Sequence, residues 1–395
     1  MRFVVLGAGL MGRAVVYDLA RSRGVREIIV ADFEAARARE VAREFGGGRA
    51  RAAQADARDI AGLARLLRGC DVAVNCAQYQ LNLQVMRAAL RARVHYLDLG
   101  GLYWMTRKQL ALDGAFRRSG RLALVGMGGA PGITNVMARH LADRLDRVES
   151  IGVYNGATVL NPPEDPLAHT FSIVTILDEM SLAPVVYDRG KYREVPLFSG
   201  AEMVRFPAPL GRIEMRHSIH SEVGTLARSF RNKGVREVFF KISYDPRLIQ
   251  TAQTLHSLGL LSRQPVRVGR AEVAPRALLE HALKGKAVST AEARDVEILR
   301  VVVAGRRGGE KVRLTMDATA FYSLRPSFSA VARDTGFPAS IAAQMMAQGE
   351  IAGAGVRAPE EAVPPFLLFA ELEKRRIPLR GPGWAGRGNR TKKKD

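Results

Sequence analysis

Residues 3–32 read Phe3-Val4-Val5-Leu6, then Gly7-Ala8-Gly9-Leu10-Met11-Gly12, then a helical run carrying Val15, Val16, Leu19 and Ala20 on one side, then Ile28-Ile29-Val30-Ala31-Asp32. A G-x-G-x-x-G alone is weak evidence. Here it leaves an apolar strand, opens an amphipathic helix, and is followed by a second apolar strand that ends in an acid twenty positions after Gly12. That is the context in which a glycine loop holds a dinucleotide. Gly7 permits the tight turn, Gly9 leaves room for a pyrophosphate, and Gly12 lets the helix lie close on the sheet. The amides at Leu10 and Met11 then face the phosphates from the helix N-terminus. Asp32 suits the two hydroxyls of an adenosine ribose and repels a 2′-phosphate, so NAD is the expected cofactor. NADP stays open, because Arg37 and Arg39 follow closely enough to soften the preference if they are not simply solvated.

Outward from this stretch the strand and helix patterns keep alternating. Ala52–Ala55, Val72–Asn75, His95–Leu99 and Leu122–Val125 read as strands, with helices at Ile60–Leu67, Leu83–Leu90 and around Lys108–Arg117. Six short strands separated by helices define an α/β fold with a Rossmann-type, doubly wound parallel sheet. Ligands in such sheets collect beyond the carboxyl ends of the strands. The rule nominates Asp56 and Ala57, Asn75-Cys76-Ala77, Asp98 to Gly101, and Gly126 to Gly132.

After Gly132 the texture changes. A helix at Asn135–Leu145 leads into strand-like segments at Val148–Tyr154, Val195–Leu197, Ile213–Met215, Val238–Ser243, Val266–Val268, Val296–Val303 and Lys311–Met316. These suggest an inserted α+β domain with an open-faced sheet. The expected division is a dinucleotide-binding domain over 1–131, completed by helices at about 325–377, and a substrate-binding and dimerisation domain over 132–324. A basic, disordered tail over 378–395 would follow. Helices at Ala339–Met346 and Pro365–Lys374 would dock back on the first domain, leaving an active site in the cleft.

The 395 residues carry a formal charge of +21. From Arg380 onward there are six Lys/Arg and one Asp, which supplies +5 of it. The remainder is scattered arginine without interleaved aromatics, so attraction for anionic small molecules is expected rather than specific nucleic-acid binding. No run of eighteen apolar residues occurs, and a strand begins at Phe3 with no cleavable leader ahead of it, so a cytoplasmic protein with no membrane partner is expected. Cys70 and Cys76 offer neither a disulfide framework nor metal-type spacing.

Several segments carry a resemblance. Leu6-Gly-Ala-Gly-Leu-Met-Gly12, Asn75-Cys-Ala-Gln-Tyr79, Val94-His-Tyr-Leu-Asp-Leu-Gly100, Ala130-Pro-Gly-Ile-Thr-Asn135, Thr225-Leu-Ala-Arg-Ser-Phe230, Thr335 to Gln344 and Gly353 to Glu360 resemble the saccharopine dehydrogenase-like oxidoreductases, most of all their lysine 6-dehydrogenase branch. The resemblance runs to about Ile377. It implies reversible hydride transfer between a nicotinamide and a C–N centre of an amino acid or amine, through an imine, by a homodimer. It places Gly7, Gly9, Leu10, Met11, Gly12, Asp32, Asp56, Ala57, Asn75, Cys76, Ala77 and Asp98 on the cofactor side, and Gly100, Gly101, Pro131, Asn135, His217, Thr225 and Arg228 on the substrate side. In the saccharopine-forming reductases an aspartate precedes the Pro-Gly that here is Pro131-Gly132; this chain has Ala130, as the lysine 6-dehydrogenase type does.

The chemistry needs a group that keeps the amine neutral before hydride leaves. His220 and Glu222, alternating on one face of an extended segment, would aim an imidazole and a carboxylate into the same cleft and are the expected acid/base pair. Tyr79 would position substrate, or else pack on Leu83. Arg228 would fork onto a substrate carboxylate, or else bridge the domains. Asp98 would act at the site or cap a helix. His217 and His220 stand three apart, but no third ligand completes a metal set, and no metal is expected. A cofactor-binding sensor or scaffold without turnover is the alternative function.

Overall fold

The computed structural model describes residues 1–165, 172–283, 286 and 294–384. The first six strands are β1 Arg2–Leu6, β2 Glu27–Asp32, β3 Ala50–Gln54, β4 Val72–Asn75, β5 His95–Asp98 and β6 Leu122–Leu124. The apolar runs of β1, β2 and β4 are buried on both faces, as a helix-covered parallel sheet requires. All pair in parallel in the order β3-β2-β1-β4-β5-β6. The order reverses between β1 and β4, so the crevice falls beside Leu6 and Asn75. The helices α1 Leu10–Arg21, α2 Ala35–Phe45, α3 Ile60–Leu67 and α4 Asn82–Ala92 follow the first four strands. The helix expected around Lys108–Arg117 is two, α5 Leu102–Leu110 and α6 Asp113–Ser119, separated at Ala111-Leu112.

The helix α7 Ile133–Ala142 leads into the second domain. Its strands are β7 Arg147–Val159, β8 Val185–Asp188, β9 Lys191–Glu194, β10 Glu202–Arg205, β11 Arg212–His217, β12 Glu237–Ile242, a small hairpin of β13 Val266–Val268 and β14 Ala271–Val273, then the long β15 Asp295–Arg307 and β16 Glu310–Phe321. The main sheet runs β10-β11-β12-β7-β15-β16, mixed because β12 and β7 pair in parallel. The strand expected at Val195–Leu197 is absent; that segment is turn and loop following β9. The helices here are α8 Ile173–Glu179, α9 Glu222–Ser229, α10 Pro246–Ser257 and α11 Pro275–Leu283.

A short hairpin, β17 Ser323–Leu324 with β18 Ser327–Phe328, returns the chain to the first domain. There the 19-residue helix α12 Ala330–Gln348 lies on α1. Gly336 allows the contact, since a Cβ there would sit 2.6 Å from Ala14 Cβ and 3.0 Å from the Met11 carbonyl oxygen. Asp18 of α1 accepts from Ser340 Oγ at 2.6 Å and from Arg375 Nε at 2.6 Å. The strand β19 Gly355–Arg357 then adds to β6 as a seventh parallel strand, one more than the sequence pattern predicts. Two helices, α13 Pro359–Ala362 and α14 Pro365–Lys374, follow. The expected tail does not start at 378. Leu379–Arg380, β20, pairs with β16, and Trp384 donates from Nε1 to Glu373 at 2.9 Å and packs edge-on to Phe369. Residues 385–395 lie outside the described residues.

Candidate active site

At the crevice, α1 begins at Leu10 with Gly9 as its N-cap and no side chain capping it. Its first amides are therefore free to meet an anion. A Cβ on Gly9 would have nothing within 4 Å, so the space in front of the helix is open. By contrast Gly7, at φ +91°, would drive a Cβ to 2.7 Å from the Cys76 backbone, and Gly12 to 1.9 Å from the Gly7 carbonyl oxygen. Asp32 Oδ2 accepts the Ala8 amide at 2.7 Å and Oδ1 the Glu34 amide at 2.9 Å. The acid at the ribose position thus also ties down the glycine loop. These residues fit a dinucleotide: open amides for the pyrophosphate, a carboxylate at the end of β2 for the ribose.

The neighbouring loops have internal tasks. Asn75 is buried, donates to Asn82 Oδ1 at 2.8 Å and accepts from the Ala77 amide at 3.2 Å, which shapes the turn past Cys76. Burial, with Asp98 beside it, pushes the Cys76 thiol up. Asp56 is paired with Arg58 at 2.9 Å, and Ala57 is buried beneath the turn. Asp98 is fully buried and accepts from Tyr96 Oη at 2.8 Å, the Gly100 amide at 2.9 Å, the Gly126 amide at 2.7 Å, and Gln109. Burial raises its carboxyl while those donors oppose the shift. The structure gives Asp98 a positioning role: its carboxylate ties together the loops after β5 and β6. Gly100, at φ +122°, lets Pro131 close over it; a Cβ would lie 2.8 Å from Pro131 Cγ.

Against those loops stands the start of α9. His220 lies in the loop before it and Glu222 is its first residue, both buried. The pair meets, but by another geometry than the extended face predicted: the segment turns at Ser221, whose Oγ is 3.5 Å from the Gly101 amide. His220 Nδ1 hydrogen-bonds Glu222 Oε2, and Thr134 Oγ1 donates to Glu222 Oε1 at 3.1 Å. The His220 ring is stacked on Phe240, 3.8 Å between centroids. Burial works against an imidazolium there, yet Glu222, with Glu179 and Glu297, raises the His220 pKa on balance.

Three carboxylates that sequence reasoning missed complete the cluster. Glu179, from the end of α8, accepts from Tyr244 Oη at 2.9 Å and is pushed up to about 7 by burial. Glu297, inside β15, rises to about 8 through burial and Asp295, and its Oε2 has no hydrogen-bond partner. Asp334 of α12 is 1% exposed, and neither carboxylate oxygen is partnered. Burial, then Glu297 and Asp295, push its carboxyl far up. It lies under the loop after β6, where a Cβ on Gly129 would be 3.3 Å from its Oδ1. The available signal was an acid inside an apolar run, Val296-Glu297-Ile298.

Other expected site residues go elsewhere. Tyr79 donates to Asp178 at 2.7 Å, and Asp178 also takes Arg276 at 2.8 Å and Arg263 at 2.9 Å. Tyr79 therefore anchors α8, the helix that carries Glu179, and burial and Asp178 push its phenol up. His217 stacks on Phe239, the neighbour of Phe240, and consecutive strand residues face opposite sides. The two histidines therefore cannot share an ion. Burial, then Lys241, lower His217 to about 4. Asn135 and Thr225 are buried, with Asn135 Nδ2 donating to Thr225 Oγ1 at 3.1 Å and to Glu360 at 2.8 Å, so they join α7, α9 and α13. Arg228, six positions after Glu222 on α9, is turned well away from it and lines a separate cavity.

A glycine-loop Rossmann domain facing a second domain, with a buried imidazole–carboxylate pair at the strand ends, defines a nicotinamide-dependent oxidoreductase. The family model for the saccharopine dehydrogenase NADP binding domain matches residues 3–124, and that for the saccharopine dehydrogenase C-terminal domain matches 128–377. The chain belongs to the saccharopine dehydrogenase family, NAD(P)-dependent enzymes acting on CH–NH or CH–NH2 donors. It is 24% identical to the carboxynorspermidine synthase of Vibrio cholerae, covering 97% of this chain and 96% of the relative. It is 22% identical to the carboxyaminopropylagmatine dehydrogenase of Synechocystis, covering 93% and 94%. The fold matches the saccharopine dehydrogenase (L-Glu forming) of Saccharomyces cerevisiae with TM-score 0.73 at 17% identity, over 96% of this chain and 99% of that one. It also matches the homospermidine synthase of Legionella pneumophila in complex with NAD, with TM-score 0.66 at 14% identity, over 100% and 94%. No described helix is long and apolar enough to cross a membrane.

Proposed function

We propose that this enzyme makes or breaks the C–N bond of a secondary amine whose amine half is a diamine or polyamine, rather than acting on lysine itself. One observation carries the reading: Glu179, Glu222 and Glu297 are buried around the single imidazole of His220, and Asp334 is buried beside Glu297. Buried carboxylates without partners are costly, and once the four are ionised a protonated His220, with Arg333 near Asp334, leaves the cluster short of positive charge. A ligand with two or more ammonium groups supplies what is missing. Relatives named for carboxynorspermidine and carboxyaminopropylagmatine support this substrate class.

The nicotinamide, when bound, gives or takes the hydride. In the reductive direction a primary amine condenses with a carbonyl compound, water leaves, and hydride converts the iminium to a secondary amine. His220 Nε2, left free by the bond from Nδ1 to Glu222, manages the proton on the reacting nitrogen. Glu222 holds the ring and stabilises its cation. Glu297 and Asp334 take the distal ammonium, and Glu179 stands between. Asp32 selects NAD over NADP, because a 2′-phosphate would meet its carboxylate.

The test is a panel in both directions with NAD(H) and NADP(H): carboxynorspermidine, carboxyspermidine, saccharopine and L-lysine for oxidation, and diaminopropane, putrescine or agmatine with an amino-acid semialdehyde for reduction. Highest kcat/KM for a carboxylated polyamine is expected. Turnover of lysine alone would overturn the polyamine reading.

A further inference from the structure

The far end of α9 opens onto a second cavity of about 550 Å³, walled by α5 and the β8–β9 hairpin. Arg107, Arg228 and Arg231 line it, beside Tyr187 and Tyr192. Among the described residues none of the three guanidinium groups has a carboxylate partner. In contrast, Arg276, Arg300 and Arg375 each pair with an acid within 3 Å. Arg107 is also held in place: Nη1 donates to Tyr103 Oη at 3.1 Å, and the guanidinium lies 5.8 Å from the Tyr103 ring centroid and 5.9 Å from that of Tyr192. Tyr192 in turn donates to the Gly224 carbonyl at 3.2 Å, which fixes the wall.

We propose that this cavity binds a multivalent oxyanion of the phosphate class. Three unpaired guanidinium groups around one concavity repel each other and raise a positive field that an anion relieves. Their planar forks suit phosphate oxygens, and one of them is already oriented. The site is separate from the dinucleotide cradle. It lies on the side of α9 that carries Gly224, Ala227 and Arg228, and its lining includes neither Glu222 nor any residue of the glycine loop. It also explains why Arg228 is not at the reaction centre: its guanidinium serves a different ligand. The inference does not depend on which amine the enzyme uses.

The experiment is calorimetric titration of the full-length protein, saturated with NADH so that the dinucleotide cradle is filled, with inorganic pyrophosphate at fixed ionic strength. One saturable site is expected, weakened at least tenfold in the Arg228→Gln/Arg231→Gln double variant, with NADH affinity and melting temperature unchanged. Both arginines are exposed and unpaired, so the variant retains the fold. No saturable binding to the parent protein, equal binding by parent and variant, or competition by chloride at equal ionic strength overturns the proposal. So does a double variant that loses self-association while the parent binds no pyrophosphate, which would make the cavity a contact between copies of this chain.

Discussion

His220 Nδ1 is hydrogen-bonded to Glu222 Oε2 across the join between a loop and the first turn of α9, and this decides which imidazole nitrogen is left for chemistry. Nε2 has no hydrogen-bond partner among the described residues, and the ring is clamped by Phe240. His220→Ala should lower kcat by about 10²–10⁴ with NADH affinity unchanged. Glu222→Gln keeps the shape but removes the charge that, against burial, raises His220. The acid limb of the kcat/KM profile should therefore move to lower pH. An unmoved limb would remove His220 from the proton step.

Glu297 and Asp334 set substrate affinity against stability. Each leaves carboxylate oxygen unpartnered in the interior, so neutral isosteres relieve a cost in the free protein. Asp334→Asn and Glu297→Gln should each raise the melting temperature while raising KM for the polyamine at least tenfold, about 1.4 kcal/mol of binding or more. If stability rises and KM stays put, the two acids face no ammonium group.

The first domain was legible because its information is local. A buried strand, a glycine loop, a helix and an acid follow one another within residues 3–32, each dictated by near neighbours. The buried acidic cluster was half legible for the opposite reason. His220 and Glu222 are two residues apart and do meet, though not on the extended face expected, because the chain turns at Ser221 into a helix that begins at Glu222. Glu179, Glu297 and Asp334 come from α8, β15 and α12, and only the tertiary fold brings them together. Arg228 shows the reverse. Its chemistry suited a carboxylate, but its helical phase turned it from the site.

Asp32 links the ribose position to the glycine loop through the Ala8 amide, 2.7 Å away. Removing it loses contacts to the ribose and loosens the loop. Asp32→Ala should weaken NADH by roughly 10- to 100-fold, the scale of about 1.5–3 kcal/mol for a charged hydrogen bond, and weaken NADPH less. Fluorescence titration of both cofactors reads this directly. An unchanged ratio between them would assign selectivity to another residue, with Arg37 and Arg39 next in line.

Protonation of the acidic cluster couples pH to both stability and binding. Glu179 and Glu297 have pKa values of about 7 and about 8, raised by burial from an ordinary 4.5. The folded state therefore binds their protons more tightly than the unfolded chain does. Their contribution to stability is complete below about pH 4.5 and is lost as pH rises through 7 and 8. The melting temperature of the ligand-free protein should fall between about pH 6 and about pH 8.5, and should fall less in Glu179→Gln/Glu297→Gln. Polyamine binding runs the other way, since ammonium groups need the ionised carboxylates. Affinity for spermidine should increase over the same range, and binding near neutrality should release protons, seen as a dependence of the calorimetric enthalpy on the buffer. Binding that neither strengthens with pH nor releases protons would mean that the carboxyls stay protonated in the complex, and that the ligand is held by other groups.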